Sequence, residues 1–152
     1  MNEGDPIPAA ALTLSDGTPI DLAALTGHPL VVYFYPKADT PGCTNEAKDF
    51  SQLAPEFDAL AAKVIGVSKD KPAKLAKFAA KYDLGVLLAS DADGTVIEDW
   101  GVWIEKSMYG KKYMGIERAT FLFGADGRCA RVWHGVKVKG HAEEVLAAAR
   151  GL

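Results

Sequence analysis

Cysteine is scarce in this chain, which has only Cys43 and Cys129 among its 152 residues. Two cysteines do not make a disulfide framework, and neither of them belongs to a C-x-x-C pair. The three histidines, His28, His134 and His141, lack the spacing of metal ligands, so we predict no metal site. A reducing, cytoplasmic location is the simplest expectation for such a chain.

Long apolar runs and a surplus of positive charge are absent as well. The longest apolar stretch, 30–35, is far too short to span a bilayer. The formal net charge of −3 lacks the basic surplus that a nucleic-acid-binding surface needs. The first residues, MNEGDPIP, have no basic start followed by an apolar run, so we expect no secretory signal. We therefore predict neither a membrane nor a nucleic-acid partner.

The length suits one domain with a sizeable core, and no linker or internal repeat divides the chain, so we predict a single domain over 1–152. Hydrophobic periodicity and turn residues predict its elements. The predicted strands and hairpins are 11–22 (a hairpin), 30–35, 63–68, 86–90 and the pair 118–124 and 128–135. The predicted helices are 43–62, kinked or broken at Pro55, then 72–82, a short helix ending near Trp100, and 140–152. Residues 106–116 are expected to form an irregular loop.

The order of these elements predicts the fold class. A β-α-β run gives parallel strands, whereas a tight hairpin gives antiparallel ones. The outcome is one mixed β-sheet with helices on both faces and an N-terminal β-hairpin. This is a thioredoxin-like α/β arrangement.

The stretch YPKADTPGCTNE, residues 35–46, places Cys43 where a central strand gives way to a helix. Unpaired N–H groups and the dipole at a helix N-terminus stabilise an anion, which favours ionisation of a thiol there. The thiolate is the nucleophilic form of cysteine. The alternative is that Cys43 is simply a small buried residue, as free cysteines often are. Small and polar neighbours favour an exposed pocket.

Several nearby residues allow two interpretations. Thr40 is either a helix N-cap or a hydroxyl that contacts an oxygen near the sulfur. Glu46 either completes a capping box or holds a distant arginine. Pro36 either stops the strand or stiffens the loop and shields the sulfur. Arg118, at the start of an apolar strand, is either a surface residue or a partner of the thiolate that binds a reacting oxygen.

Taken together, these residues resemble the peroxiredoxin family. Pro36, Thr40 and Cys43 fit its P-x-x-x-T-x-x-C motif, and Arg118 stands where that family has its active-site arginine. The stretches YFYPKADTPGCTNEA, KSMYGKKYMGIERATFLF and VKVKGHAEEVL are similar to the bacterioferritin-comigratory, or Q-type, subfamily. The resemblance covers nearly the whole chain.

The resemblance implies a thiol-dependent peroxidase that reduces hydrogen peroxide and organic hydroperoxides without a bound cofactor. Cys43 would be the peroxidatic cysteine, oxidised to a sulfenic acid. The Thr40 hydroxyl, the Gly42 and Cys43 backbone N–H groups and the Arg118 guanidinium would hold the peroxide. Glu46 would orient Arg118.

The chain departs from the subfamily in its resolving cysteine. Many members carry a second cysteine five residues after the first, where this chain has Lys48, and residues 71–84 contain none. Cys129 is expected to be a small strand residue rather than a resolving thiol. We therefore predict a one-cysteine mechanism in a monomer, with thioredoxin, glutaredoxin or a small thiol as the external reductant.

Two other functions compete with the peroxidase. One is a thioredoxin-like redox-sensing or binding module without catalysis, which would have no use for Thr40, Cys43 and Arg118 together. The other is a cysteine hydrolase, which needs a histidine base near Cys43. None of the three histidines lies near Cys43 in the sequence.

Overall fold

A computed structural model describes all residues of the chain, 1–152. Its nine strands are β1 (Ala11–Leu14), β2 (Pro19–Asp21), β3 (Leu30–Phe34), β4 (Lys63–Ser68), β5 (Leu87–Ser90), β6 (Trp103–Met108), β7 (Lys111–Ile116), β8 (Ala119–Phe123) and β9 (Cys129–Trp133). Its α-helices are α1 (Pro41–Gln52), α2 (Ala54–Ala59), α3 (Pro72–Tyr82), α4 (Thr95–Asp99) and α5 (His141–Arg150). None of the helices is long and apolar enough to cross a membrane.

Seven of the strands form one mixed sheet in the order β2-β1-β5-β4-β3-β8-β9. The three middle strands, β3, β4 and β5, run parallel, because a helix connects each of them to the next. The N-terminal hairpin β1–β2 joins β5 antiparallel, and the β8–β9 hairpin joins β3 antiparallel. All five residues of β3 are buried, as its continuous apolar sequence predicts for a central strand.

The sheet separates two hydrophobic cores. Residues that alternate along β3 point to opposite faces, so Val32 and Phe34 belong to one core and Val31 and Tyr33 to the other. We call the first the α4-side core, since α4 and the adjacent Trp100 cover it, and the second the α1-side core, since α1, α2, α3 and α5 cover it. The predicted mixed sheet with helices on both faces is confirmed.

The helix predicted over 43–62 is two helices. Helix α1 begins at Pro41. A proline is tolerated in the first turn because a backbone N–H there has no carbonyl of the helix to bind. The helix is interrupted at Leu53, and Pro55 then lies in the first turn of α2. The break expected at Pro55 is therefore present, and Cys43 is the third residue of α1.

The prediction of an irregular loop over 106–116 is wrong. Strands β6 and β7 form a separate two-stranded antiparallel hairpin that pairs Trp103 with Ile116 and Met108 with Lys111. Tyr109 and Gly110 make its turn, and both have positive φ (52° and 78°), as the two-residue turn that best matches strand twist requires. Most of the hairpin is exposed, so it lacks the apolar alternation that identifies a strand.

Candidate active site

Cys43 lies in the first turn of α1, directly after the loop that leaves central strand β3. The N–H groups of Gly42 and Cys43 make no hydrogen bond within the protein, because the first turn of a helix has no preceding carbonyls to bind. The Cys43 side chain packs in the α1-side core and is only 2% exposed. The expectation of an exposed pocket is wrong for the sulfur itself, which is buried beside polar groups.

Arg118 connects this turn to strand β8. Its Nη2 donates to Cys43 Sγ at 3.5 Å, and its Nη1 donates to Glu46 Oε1 at 2.7 Å. Glu46 lies one turn after Cys43 on α1, so one guanidinium spans both side chains. Of the two interpretations of Glu46, the structure shows the carboxylate that holds an arginine, and of those of Arg118, the partner of the sulfur.

The Glu46–Arg118 pair is largely withdrawn from water. Glu46 is 1% exposed, and its Oε2 has no hydrogen-bond partner. Burial raises the pKa of Glu46 to about 7, although the charge and hydrogen bonds of Arg118 pull that pKa downward. Burial also opposes the charge of Arg118, but Glu46 and Cys43 outweigh it and raise the pKa of the guanidinium above its ordinary value. Both partners of Arg118 thus favour its cationic form.

Gly42 leaves room for the guanidinium. A Cβ built at position 42 would lie 3.2 Å from Nη2 of Arg118, closer than side chains normally pack. The absence of a side chain therefore lets Arg118 reach Cys43 across the start of the helix. This space complements the free backbone N–H of the same residue.

Thr40 occupies the N-cap position of α1, yet its side chain does not cap the helix. Its Oγ1 donates to the carbonyl of Lys37 at 2.8 Å, which fixes the hydroxyl over the loop and leaves its lone pairs free. Pro36 lies in the bend after β3 and is itself exposed. The position of Thr40 agrees with the N-cap interpretation, whereas its hydroxyl serves the loop.

Two anchors that the sequence did not reveal hold this loop. Asp39 has a positive φ of 63° and accepts hydrogen bonds from Lys81 Nζ at 2.9 Å and from Tyr82 Oη. The N–H of Ala38 donates to Asp70 Oδ2 at 2.7 Å. These bonds tie the approach to Cys43 to helix α3 and to the end of β4. No sequence signal links residues that lie 32 to 43 positions apart.

Aromatic side chains share the α1-side core with Cys43. Tyr33 of β3 stacks on Phe50 of α1 with ring centroids 4.7 Å apart, and Tyr35 lies 5.6 Å from Tyr33. A Cβ on Gly66 of the neighbouring strand would lie 2.6 Å from the Tyr33 ring, so this glycine makes space for it. The hydroxyls of both tyrosines are buried without a partner. The continuous apolar run 30–35 indicated only burial and gave no sign that its tyrosines adjoin the site.

Cys129 and the histidines lie apart from this constellation. Cys129 starts β9 and belongs to the α4-side core, on the opposite face of the sheet from Cys43. Burial raises the pKa of Cys129 to about 11, so its thiol is protonated at neutral pH. No histidine hydrogen-bonds Cys43; the buried His141 instead shares a 2.7 Å hydrogen bond with Thr120.

The fold and the site together define a thioredoxin-fold protein with a cysteine in the first turn of the helix after a central strand, next to an arginine. The AhpC/TSA family model matches residues 4–132. Peroxiredoxin Bcp of Xanthomonas campestris is 49% identical over 146 residues, which covers 93% of this chain and 91% of the relative. Peroxiredoxin Bcp of Escherichia coli K12 is 42% identical over 146 residues, covering 96% and 94%.

Solved structures agree with the sequence relatives. A mutant of Xylella fastidiosa PrxQ superposes with a TM-score of 0.93 at 41% identity and covers 99% of this chain and 96% of its own. The Xanthomonas campestris bacterioferritin comigratory protein, studied for its alkyl peroxide reduction activity, gives 0.89 at 47% identity, covering 93% and 90%.

The chain therefore belongs to the AhpC/TSA family and is a peroxiredoxin. It is a thiol-dependent peroxidase of thioredoxin fold, similar to the Bcp and PrxQ proteins. A peroxide is its substrate, and a thiol returns it to the reduced state. The predicted family, fold class and peroxidase activity are confirmed.

Proposed function

We propose that Cys43 is the peroxidatic cysteine of a one-cysteine peroxidase. The observation that carries this proposal is the 3.5 Å contact between Arg118 Nη2 and Cys43 Sγ in the first turn of α1. This contact gives the sulfur a positively charged hydrogen-bond donor that can also bind a reacting oxygen. Cys129 offers no comparable setting, since burial keeps its thiol protonated.

The chemical step follows from these groups. The Cys43 thiolate attacks the terminal oxygen of a hydroperoxide, so that an S–O bond forms and the O–O bond breaks. The departing oxygen takes up a proton and leaves as water or an alcohol, while Cys43 becomes a sulfenic acid. In this proposal the N–H groups of Gly42 and Cys43, the Thr40 hydroxyl and Arg118 bind the two peroxide oxygens.

Glu46 and Pro36 support the reacting groups without touching the peroxide. The 2.7 Å bond from Arg118 to Glu46 orients the guanidinium toward the sulfur. Pro36 fixes the bend from which the loop 36–40 enters α1, because its ring restricts the backbone. Both residues act through the residues that bind the substrate.

An external thiol completes the cycle in this proposal. It displaces water from the sulfenic acid to give a mixed disulfide with Cys43, and a second thiol group releases reduced Cys43. Thioredoxin, glutaredoxin and small thiols are the reductants that fit, because the second cysteine of the chain is on the other face of the sheet. The proposal places a monomer in a reducing compartment such as the cytoplasm, which suits two free thiols.

The test compares the two cysteines. We expect Cys43→Ser to reduce peroxide consumption with dithiothreitol to the uncatalysed background, and Cys129→Ser to keep most of the activity. Mass spectrometry of the wild type after peroxide should find one added oxygen on Cys43. Equal loss in both variants would show that Cys129 resolves the sulfenic acid. A single turnover followed by arrest, with dithiothreitol in excess, would instead indicate a redox sensor.

A further inference from the structure

Lys106 of β6 is a half-buried lysine that forms no salt bridge. Its neighbour in the same hairpin, Lys112, reaches Glu105 at 3.6 Å. A charged side chain that gives up part of its hydration without an ionic partner loses free energy, so its position calls for a physical reason. Lys106 is absent from the machinery described above.

The pairing of the hairpin directs the Lys106 side chain along β7 toward the residues that precede Arg118. Lys106 pairs with Tyr113 across the hairpin, and Gly115 is the next residue of β7 on the same face. A Cβ on Gly115 would lie 3.3 Å from Lys106 Cδ and 3.5 Å from Cε. The aliphatic part of Lys106 therefore lies along the bare backbone of Gly115, pointing to the end of β7 that leads into Arg118.

Two of the charged groups that act on Lys106, Arg118 and Cys43, belong to the site. Burial lowers its pKa, and repulsion by Arg118 lowers it further, whereas Cys43 and Glu117 act in the opposite direction. The Glu117 carboxylate is already engaged, since it contacts His134 Nδ1 at 3.0 Å and accepts from the N–H of Gly135 at 2.9 Å. The Lys106 side chain thus extends along β7 toward the residues that precede Arg118, and its ammonium makes no salt bridge.

We propose that Lys106 binds a carboxylate of the molecule that reacts at Cys43. The inference rests on the proposed function of Cys43 and adds a specificity-determining residue to it. The O–O group of a peroxide is uncharged and already has donors at the start of α1, so a second, unpaired cation suits an anionic group farther along the ligand. Either reactant can carry that carboxylate: an acidic hydroperoxide or an acidic thiol.

The first arm of the experiment tests the hydroperoxide. Lys106→Met keeps the chain that packs on Gly115 and removes the charge. With dithiothreitol as reductant, we compare a straight-chain hydroperoxide that ends in a carboxylate with its methyl ester. A carboxylate on the peroxide predicts that KM for the acid rises about fivefold in Lys106→Met, while kcat and both constants for the ester stay unchanged.

The second arm tests the thiol. Hydrogen peroxide is the oxidant, and 3-mercaptopropionate is compared with its methyl ester as the reductant. If the thiol carries the carboxylate, KM for 3-mercaptopropionate should rise about fivefold in Lys106→Met, whereas KM for its ester and for the hydroperoxides should stay unchanged. Because each acid is compared with its own ester in both proteins, the different intrinsic reactivity of the thiols cancels.

Two controls separate this role from a general effect of charge. Lys111→Met removes an exposed lysine from the same face of the hairpin and should leave every ratio of acid to ester unchanged. Lys106→Arg should retain the preference for the acids. If KM rose equally for acid and ester, or rose in neither arm, the role of Lys106 would be overturned, while Cys43 would remain the peroxidatic residue. Failure of the wild type to turn over any peroxide would overturn both.

Discussion

Glu46 and Arg118 form the buried ion pair of the site. It joins residues 72 positions apart, and it places a carboxylate with one unpaired oxygen inside the protein. Removing one partner of a buried pair generally costs more than the pair contributes, because the other charge stays behind. The protonation of Glu46 is therefore coupled to the stability of the fold.

That coupling gives a prediction for pH. The pKa of Glu46 is raised from 4.5 to about 7. Between these two pH values the folded protein therefore keeps a proton that the unfolded chain has released. The free energy of unfolding should fall as the pH rises from about 4.5 to 7, by an amount on the order of 2 kcal/mol. Glu46→Gln should remove this fall, and urea unfolding at several pH values measures it.

The comparison must be made between variants because His141 has the opposite effect. Burial lowers the pKa of His141 from 6.5 to about 4, so its contribution to stability increases as the pH rises through that window. Glu56→Gln is the matched control, since Glu56 is exposed and pairs with the exposed Arg150. Identical pH profiles for Glu46→Gln and Glu56→Gln would contradict the assignment.

At the residue scale, the sequence indicated candidate site residues but not their surroundings. Cys43, Thr40 and Arg118 could be named because a spaced motif marks the first two and an arginine in an apolar strand is conspicuous. Asp39 could not, since its partners Lys81 and Tyr82 lie 42 and 43 positions away. Side-chain contacts of that kind follow from how strands and helices are packed, which local patterns do not specify.

At the scale of elements, strand β4 affects the candidate site through a glycine, which leaves room for an aromatic ring of β3. Gly66 lies opposite Tyr33 on β3, and the Tyr33 ring occupies the space where a Cβ would be. Tyr33 in turn stacks on Phe50 of α1, the helix that carries Cys43. A change in β4 should therefore be transmitted to the helix.

Gly66→Ala should destabilise the protein by about 1–3 kcal/mol, because the new methyl group would lie 2.6 Å from the Tyr33 ring. Urea unfolding measures the loss. Gly85→Ala is the control, since its Cβ would meet Ala54 at an ordinary 3.5 Å, and its effect should stay within about 0.5 kcal/mol. Equal effects of the two substitutions would mean that the Tyr33 ring can move aside at little cost.

The hairpin β6–β7 shows why one element could not be predicted. The strands inside the sheet were recognisable because their buried faces carry runs of apolar residues. In the hairpin, polar and apolar residues are mixed on both faces, and its turn begins with a tyrosine, a residue that rarely has positive φ. Backbone pairing and a few side-chain contacts, such as the one between Lys112 and Glu105, hold these strands together, and composition does not report them.

At the scale of the whole molecule, the two cores share one sheet, and β3 contributes to both. The prediction of a single domain over 1–152 then has a measurable form. In Trp133→Phe the remaining Trp100 and Trp103 report on the α4-side core, whereas the far-ultraviolet dichroism comes mainly from the helices on the other side. Both signals should give the same urea midpoint. Two separate midpoints would mean that the cores unfold independently.

The position of the two thiols on opposite faces also determines how turnover scales with supply. A disulfide within one chain would have to cross the sheet, so under the proposed one-cysteine mechanism each oxidised Cys43 waits for an encounter with another molecule. The reductive half of the cycle is then second order, and halving the thiol concentration doubles the lifetime of the oxidised enzyme. We therefore expect the protein to accumulate in its oxidised form under thiol shortage, so that its redox state follows the thiol pool around it.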